Sequence, residues 1–430
     1  MTTAPAKSKH RRLPWLLALA LLLALGSWQF GPWLRHQILL QAVLRSETAI
    51  AGQVRELAGG TADVRALLDQ LWNTGRVPHR LAALQEAIEQ ARGGALQMEQ
   101  IRPWLVAGAR DVDSDVREIA LGALAANRDP QLAELARRQL TDVDPQRRLL
   151  GLQHLRRGGV GSGDVKNLTP VVMDLVRDPD PTVAASADSL LRAWTDFDTG
   201  VRMHSALGEG SEPGSGRLDA GKEKALREGL AKWADWWSTH RTNYAVVPAL
   251  ASDPAGERTG PMAADFALPT PAGQTVRLAD YRGKVVLINF WATWCNACVT
   301  EIPDLVALQK RFGDQVVILG VSLDGRPEEH DHDHDHEHEG SGHAAATTAE
   351  TAEVREKVAR AVKSRGINYP VLLDPAGQIG ARFNGGELPT NVLVDAQGRV
   401  SRRFIGTRSP AVLEAMLREA GAKLPAGVGL

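Results

Sequence analysis

The chain has 430 residues, 43% of them hydrophobic, with 50 basic and 51 acidic side chains and a formal net charge of −1. A single core rarely grows beyond roughly 250–300 residues, so the length predicts more than one domain, while balanced charge gives no field to attract nucleic acid, and no nucleic-acid partner is expected. Only two cysteines occur, both in Trp294-Cys295-Asn296-Ala297-Cys298, which excludes a four-cysteine zinc ribbon, a framework of structural disulfides and a lipid-modified N-terminal cysteine.

Lys7, Lys9, Arg11 and Arg12 precede a run from Leu13 to Leu34 made largely of Leu, Ala and aromatic residues, long enough at about 1.5 Å per residue to cross a bilayer. The flanking positive charge predicts a cytoplasmic N-terminus, and Trp28, Phe30 and Trp33 fall where an outer aromatic belt belongs. Residues 1–36 are therefore read as a cytoplasmic tail and transmembrane signal anchor. A signal peptide cleaved near Ala24-Leu25-Gly26 is the alternative, and either reading exports the remainder. The expected location is the cell inner membrane, single-pass, with the bulk of the chain periplasmic or otherwise extracytoplasmic.

Residues 37–240 carry a helical pattern rich in Ala, Leu and Arg, with no strand pattern interrupting it. A unit recurs at Asp111-Val112-Asp113, Asp142-Val143-Asp144 and Asp178-Pro179-Asp180, each leading a helix. Aspartates there cap helix N-termini and match the dipole, and proline suits the first turn. At intervals of about 30–36 residues these units resemble HEAT-like repeats. A stack of that kind is either a docking platform for a partner or a spacer that holds the next domain off the membrane. Leu226, Leu230, Trp233 and Trp237 share one helical stripe and read as the core of a terminal capping helix. His79, His154, His204 and His240 are isolated and read as surface or satisfied structural histidines.

After a linker at 241–260 the pattern changes to alternating strands and turns. A hairpin is predicted over 265–278, a buried strand over Lys284–Trp291, a helix from Cys295 and a strand over 316–321. A helix follows over 351–365, a strand over 371–373, a strand pair over 391–394 and 400–405, and a last helix near Ser409. That order is thioredoxin-like. Two cysteines three apart, the first opening a helix, can close a small disulfide ring and reopen it by thiolate attack. The helix N-terminus stabilises a Cys295 thiolate as the nucleophile, and Cys298, one turn on, resolves the mixed disulfide.

The Trp-Cys-x-x-Cys motif, Glu301, Pro303 and Leu388-Pro389-Thr390 together resemble the membrane-anchored thioredoxin-like reductases of the TlpA/ResA type, and are similar to the cytochrome c maturation thioredoxins. The likeness covers about residues 261–425. It implies that Pro389 is a cis-proline facing the dithiol and that Glu301 serves as proton acceptor. Glu301 lies near one turn beyond Cys298, and many thioredoxins place a buried acid at the strand position held here by Asn289. A raised pKa from burial would suit Glu301 to that work; the plainer reading is a surface glutamate favoured by the helix dipole. Trp291 and Trp294 either shield the site from water or belong to the core.

Within the domain at 261–430, an insert at 326–350 departs from the family pattern. Its alternating histidines and acids, with His330, His332, His334, His336, His338 and His343, cannot build a core. Imidazole and carboxylate suit Zn, Cu or Ni, and a solvated polar insert is the alternative.

The expected architecture is thus multidomain: an N-terminal transmembrane helix, an all-α HEAT-like solenoid and a C-terminal α/β thioredoxin-like domain. The expected function is thiol–disulfide exchange through Cys295 and Cys298, with no cofactor required beyond their redox-active disulfide. Partners would be client proteins with disulfides or cysteine metal sites, and a membrane thiol donor. A metal-handling module using the histidine-rich insert is the alternative.

Overall fold

The computed structural model describes residues 33–46, 51–61, 63–201, 220–244, 260–325 and 348–423. Most of the apolar run 13–34, the histidine-rich tract and His204 lie outside them. Among the described residues no helix is long and apolar enough to cross a membrane. The chain divides into two compact units, Met1–Glu86 and Ala87–Leu430.

The first unit holds helices α1 (33–45), α2 (Ala51–Gly59), α3 (Val64–Asn73) and the start of α4 (Val77–Arg92). Asp63 caps α3 by accepting the Ala66 N–H at 2.9 Å. His79 is buried and its Nε2 meets the Val43 carbonyl oxygen at 2.9 Å, while its Nδ1 has no hydrogen-bond partner among the described residues, so this structural histidine is satisfied at one ring nitrogen only.

The second unit opens with α5 (Met98–Gly108), α6 (Ser114–Ala126), α7 (Leu132–Leu140), α8 (Pro145–Gly158), α9 (Ser162–Leu175) and α10 (Pro181–Thr195). The recurring Asp-x-Asp unit has one geometry at all three places. Asp113, Asp144 and Asp180 cap α6, α8 and α10 by accepting backbone N–H groups two or three residues on. Their own N–H groups donate to Asp111, Asp142 and Asp178 at 2.9, 2.8 and 2.9 Å. The sequence repeat is therefore a repeated Asx turn feeding a helix cap. The third copy is bound within the helical layer, where Arg148 forks onto Asp178 at 2.6 and 2.8 Å.

Helix α11 (Ala220–His240) closes this layer. Trp233 is fully buried, donates its Nε1–H to Asp188 at 2.7 Å and meets Phe197 edge-on at 5.1 Å. Leu230 and Trp237 pack on the same cluster, as their shared stripe predicts, while the Leu226 side chain lies outside the described residues.

His154 departs from expectation: it is 1% exposed and, among the described residues, neither ring nitrogen has a hydrogen-bond partner. Burial first, then the charge of Arg157, lowers its pKa from 6.5 to about 4. The unfolded chain thus takes up this proton more readily. Stability is full above 6.5 and falls as pH drops toward 4, by on the order of 3 kcal/mol. His154→Leu is expected to flatten that part of the acid slope in urea denaturation measured across this window.

The remainder of the second unit is an α/β fold. Strands β1 (Ala267–Pro269) and β2 (Thr275–Arg277) form a hairpin, and a five-stranded sheet runs in the order β5-β4-β3-β6-β7. Here β3 is Val285–Trp291, β4 Val316–Ser322, β5 Val371–Leu373, β6 Thr390–Val394 and β7 Val400–Ile405. Strands β3, β4 and β5 are parallel; β6 runs antiparallel to β3 and β7 antiparallel to β6. Every residue of β3 and β4 is buried, which is why their sequences are nearly continuous apolar runs.

Alternation along β3 sends Leu287 and Trp291 to one face and Val286, Ile288 and Phe290 to the other. The first face is covered by α12 (Asn296–Phe312), α13 (Thr348–Ser364) and α15 (Pro410–Glu419). The second packs on Phe266, Leu278 and α14 (Gln378–Arg382) with Phe383. Asn289 falls, by period two, on the α12 face.

The edge strand β7 does not face solvent along its length. Its Val400 N–H donates to the Pro261 carbonyl, and its Arg403 N–H to the Val112 carbonyl of the first Asp-x-Asp loop. Gly260 lies where these segments converge: a Cβ there would stand 1.9 Å from the Val400 oxygen and 3.1 Å from Val112. Pairing an edge with another segment of the same chain removes a template for aggregation.

Candidate active site

Helix α12 follows the buried strand β3 after the short turn 292–295, so its N-terminus and the Cys295 side chain sit at the carboxyl end of the sheet's central strand. Cys295 is the N-cap, and its Sγ accepts the Cys298 N–H at 3.2 Å. The two cysteines form a disulfide with S–S 2.05 Å. Both are buried, Cys298 more deeply at 2% exposure against 8% for Cys295. Backbone N–H groups at a helix N-terminus favour an anion, so reduction leaves a thiolate stabilised at Cys295.

Cys298, Glu301, Ile302, Leu305 and Leu308 form the buried stripe of α12. Glu301 is 2% exposed, which rejects the surface reading. Its Oε2 accepts from Asn289 Nδ2 at 3.3 Å, and the same amide nitrogen donates to Asn391 Oδ1 at 2.9 Å. Asn289 and Asn391 are direct partners across β3 and β6. Among the described residues Glu301 Oε1 has no side-chain or backbone hydrogen-bond partner. Burial pushes the Glu301 pKa up from 4.5 to about 7, opposed by the Asn391 side chain and by the backbone and charge of Arg408. Tyr369 lies near enough for the Glu301 charge to add to burial in raising its phenol pKa. A carboxyl poised near neutrality one turn from a dithiol can take and return a proton.

The Leu388–Pro389 peptide bond is cis, as the family likeness implied for Pro389. Leu388 packs on the core cluster that contains both cysteines, and the Pro389 carbonyl accepts the Gly406 N–H at 2.8 Å. Trp291 is buried core, whereas Trp294 is 37% exposed beside the disulfide. Gly320 leaves room for the Trp291 indole: a Cβ there would come within 3.2 Å of its Nε1. Pro303 lies inside α12. His330, His332, His334, His336, His338 and His343 lie outside the described residues, and among the described residues no cluster suited to a metal ion occurs.

Two groups at the site escape sequence reading. Asn391 was legible only as a strand residue. Asp324, wholly buried, accepts from the Thr293 backbone N–H at 3.0 Å and from the Thr293 and Ser322 hydroxyls, and pairs with Lys357 at 3.2 Å. It therefore anchors the turn that carries Trp294 and Cys295. Lys357 is half-exposed, so the ion pair adds little, but the hydrogen bonds are internal. Asp324→Ala is expected to cost about 3 kcal/mol in urea unfolding, by stranding the Thr293 and Ser322 donors.

Residues 259–403 match the AhpC/TSA family. The thioredoxin-like protein YneN of Bacillus subtilis is 28% identical over 176 residues, 41% of this chain and 88% of that protein. The thiol–disulfide oxidoreductase ResA of Geobacillus kaustophilus is 27% identical over 174 residues, 40% of this chain and 83% of that protein. The C-terminal region is a thioredoxin-like AhpC/TSA domain related to the ResA thiol–disulfide oxidoreductases. A crystal structure of a thioredoxin-family thiol:disulfide interchange protein from Chlorobium tepidum is 27% identical, covering 39% of this chain and 99% of that one, with a TM-score of 0.30. By its likeness to these curated relatives the chain is a protein-disulfide oxidoreductase, and its two cysteines are joined as the Cys295–Cys298 disulfide.

Proposed function

We propose that this oxidoreductase works as a membrane-tethered, extracytoplasmic reductase of specific partner disulfides, of the kind needed to mature cytochromes c or copper sites. The observation that carries the mechanism is the buried Glu301 beside the dithiol, held by an uncharged pair, Asn289 and Asn391. The Cys295 thiolate attacks one sulfur of the partner disulfide and releases a partner thiolate. Glu301 then takes the Cys298 proton, the Cys298 thiolate attacks Cys295 Sγ, and the second partner thiolate leaves. The partner gains two electrons and the Cys295–Cys298 disulfide forms. A membrane thiol donor returns the pair to the reduced state.

Export and tethering rest on the basic residues and apolar run of 7–34. The reading of α5 to α10 as HEAT-like repeats rests on the threefold capping device. Equilibration with glutathione or thioredoxin tests the direction of electron flow. A potential near that of thioredoxin, about −270 mV, supports reduction, and one near about −120 mV overturns it.

The histidine-rich tract favours a second activity, coordination of Zn, Cu or Ni with the dithiol in a supporting role. Metal titration of the full chain against a deletion of Glu328–His343 tests it; unchanged binding removes the tract from the account.

A further inference from the structure

The first two Asp-x-Asp loops of the helical layer are occupied by the redox fold itself. Arg403 of β7 reaches Asp115 at 2.8 Å and Asp113 at 3.5 Å, and Arg402 reaches Asp142 at 2.8 Å. Between Asp142 and Asp144, Val143 packs on the core cluster that contains Cys295, Cys298, Trp291 and Ile302. Asp144 then forks onto Arg408, with Nε to Oδ1 at 2.9 Å and Nη2 to Oδ2 at 3.2 Å, and both side chains are more than nine-tenths buried.

Arg408 belongs to the turn that follows β7. Its guanidinium also donates to the Ile405 and Thr407 carbonyls at 3.0 and 2.9 Å and lies 4.8 Å from the Phe404 ring centre. That turn is part of the site: Gly406 N–H holds the Pro389 carbonyl, and the Gly406 carbonyl faces Asn391 Nδ2 at 3.5 Å. Arg408 in this turn acts on Glu301 through both its backbone and its charge.

We propose that Asp144 is a positioning residue of the redox centre: by gripping Arg408 it holds turn 405–408 against Pro389 and Asn391, and keeps a positive charge beside Glu301. The helical layer then acts on the chemistry of its own thioredoxin fold. This inference uses the placement of Glu301 and rests on the proposed role of that residue only for its effect on turnover.

The titratable, charged and polar groups acting on Glu301 are Arg408 from the turn, Asp304 from α12, Tyr369 from the segment before β5, and the amides Asn289 and Asn391, with Cys298 on the same buried stripe of α12. Arg408 is the only cation among those named, and it acts to lower the Glu301 pKa. Asp144→Asn keeps the helix cap, because asparagine caps as well as aspartate. With Oδ1 still accepting the Gln146 N–H at 3.0 Å, the new amide would present N–H donors to Arg408 Nη2. Two donors cannot pair, so the fork loses its Nη2 arm and the ion-pair charge, keeps at most the Nε bond to Oδ1, and the grip on the turn loosens.

The test is the titration of Glu301 itself, followed by NMR of carboxyl-13C-glutamate in the oxidised full chain and assigned by the signal lost in Glu301→Gln. Asp144→Asn and Arg408→Met are each expected to raise the midpoint by about one pH unit. The double variant should add nothing beyond either one, and Arg408→Lys, which keeps the charge, should stay nearer the wild type. Asp115→Asn, which loosens Arg403 and leaves turn 405–408 gripped, should not move the midpoint. A midpoint in Asp144→Asn that stays at the wild-type value or falls overturns the proposal, as does an equal shift in Asp115→Asn. Because the readout is a titration and not turnover, it stands even if Glu301 proves unnecessary for exchange. If Asp144→Asn does not fold, Arg408→Met against Arg408→Lys decides: equal midpoints for the two overturn the proposal.

Discussion

Glu301→Gln is expected to slow the resolving exchange by on the order of 10²-fold near neutral pH, the usual size of a general-base contribution. The wild-type rate should rise with pH through about 7, the pKa to which burial lifts this carboxyl, and then level off. Glutamine keeps the shape and the hydrogen bond to Asn289 but cannot ionise, so the inflection should vanish from stopped-flow traces of mixed-disulfide resolution. The same substitution should stabilise the fold at higher pH. A carboxyl whose folded pKa is about 7 and whose ordinary value is 4.5 contributes its full stability below 4.5 and loses it as pH rises through 7. Above that point the loss is on the order of 3 kcal/mol, and the glutamine variant escapes it. A variant that is slower and yet more resistant to urea at alkaline pH is the signature of a residue kept for chemistry.

Cys295→Ser is expected to reduce disulfide-exchange turnover to background, a loss on the order of 10³-fold or more, because a hydroxyl does not ionise near neutrality and the first covalent step disappears. Its fold should survive, since serine is itself a good N-cap. Full exchange activity in this variant would place the nucleophile elsewhere, against a chain whose only cysteines are these two.

Much of this site was legible before the structure, for physical reasons that differ by residue. The seven buried positions of β3, six of them apolar, announce a central strand because both of its faces are covered. Asn289 is conspicuous there as the single polar residue. Glu301 shares the 3.6-residue stripe of Cys298, Ile302 and Leu305, so its burial follows from the period of α12. The proline pattern was read through likeness to a family, and the cis bond at Pro389 agrees with it.

What stayed hidden depends on pairings across long stretches of chain. Asn391 meets Asn289 only because β6 lies beside β3 in one register, and a shift of one residue would turn it to the other face. Asp324 reads as a strand-end residue until Thr293 is brought onto it. Asp113 and Asp144 are legible as caps, yet their second role, binding arginines 290 and 264 residues on, has no local signal. Helix α14 is five residues long, too short for a periodic pattern. His154 reads from the sequence as a surface or satisfied histidine and, among the described residues, is neither, since isolation in a helical pattern does not show what a buried ring meets.

The docked helical layer also bears on the choice between platform and spacer. Two of its three capping loops are occupied by β7 and the following turn, and Val143 packs against the core cluster to which the disulfide belongs. These loops are therefore unavailable to an outside partner. Any docking face for a client has to be sought elsewhere on the layer.

The most direct test of the account is capture of the mixed disulfide. Reduced Cys298→Ser protein, mixed with a disulfide-containing client or a model peptide disulfide, should accumulate a one-to-one adduct that reducing agent releases. Mass mapping should place it on Cys295. Failure to form any adduct, or equal capture by Cys298 in Cys295→Ser protein, would contradict the assignment of Cys295 as the attacking thiol.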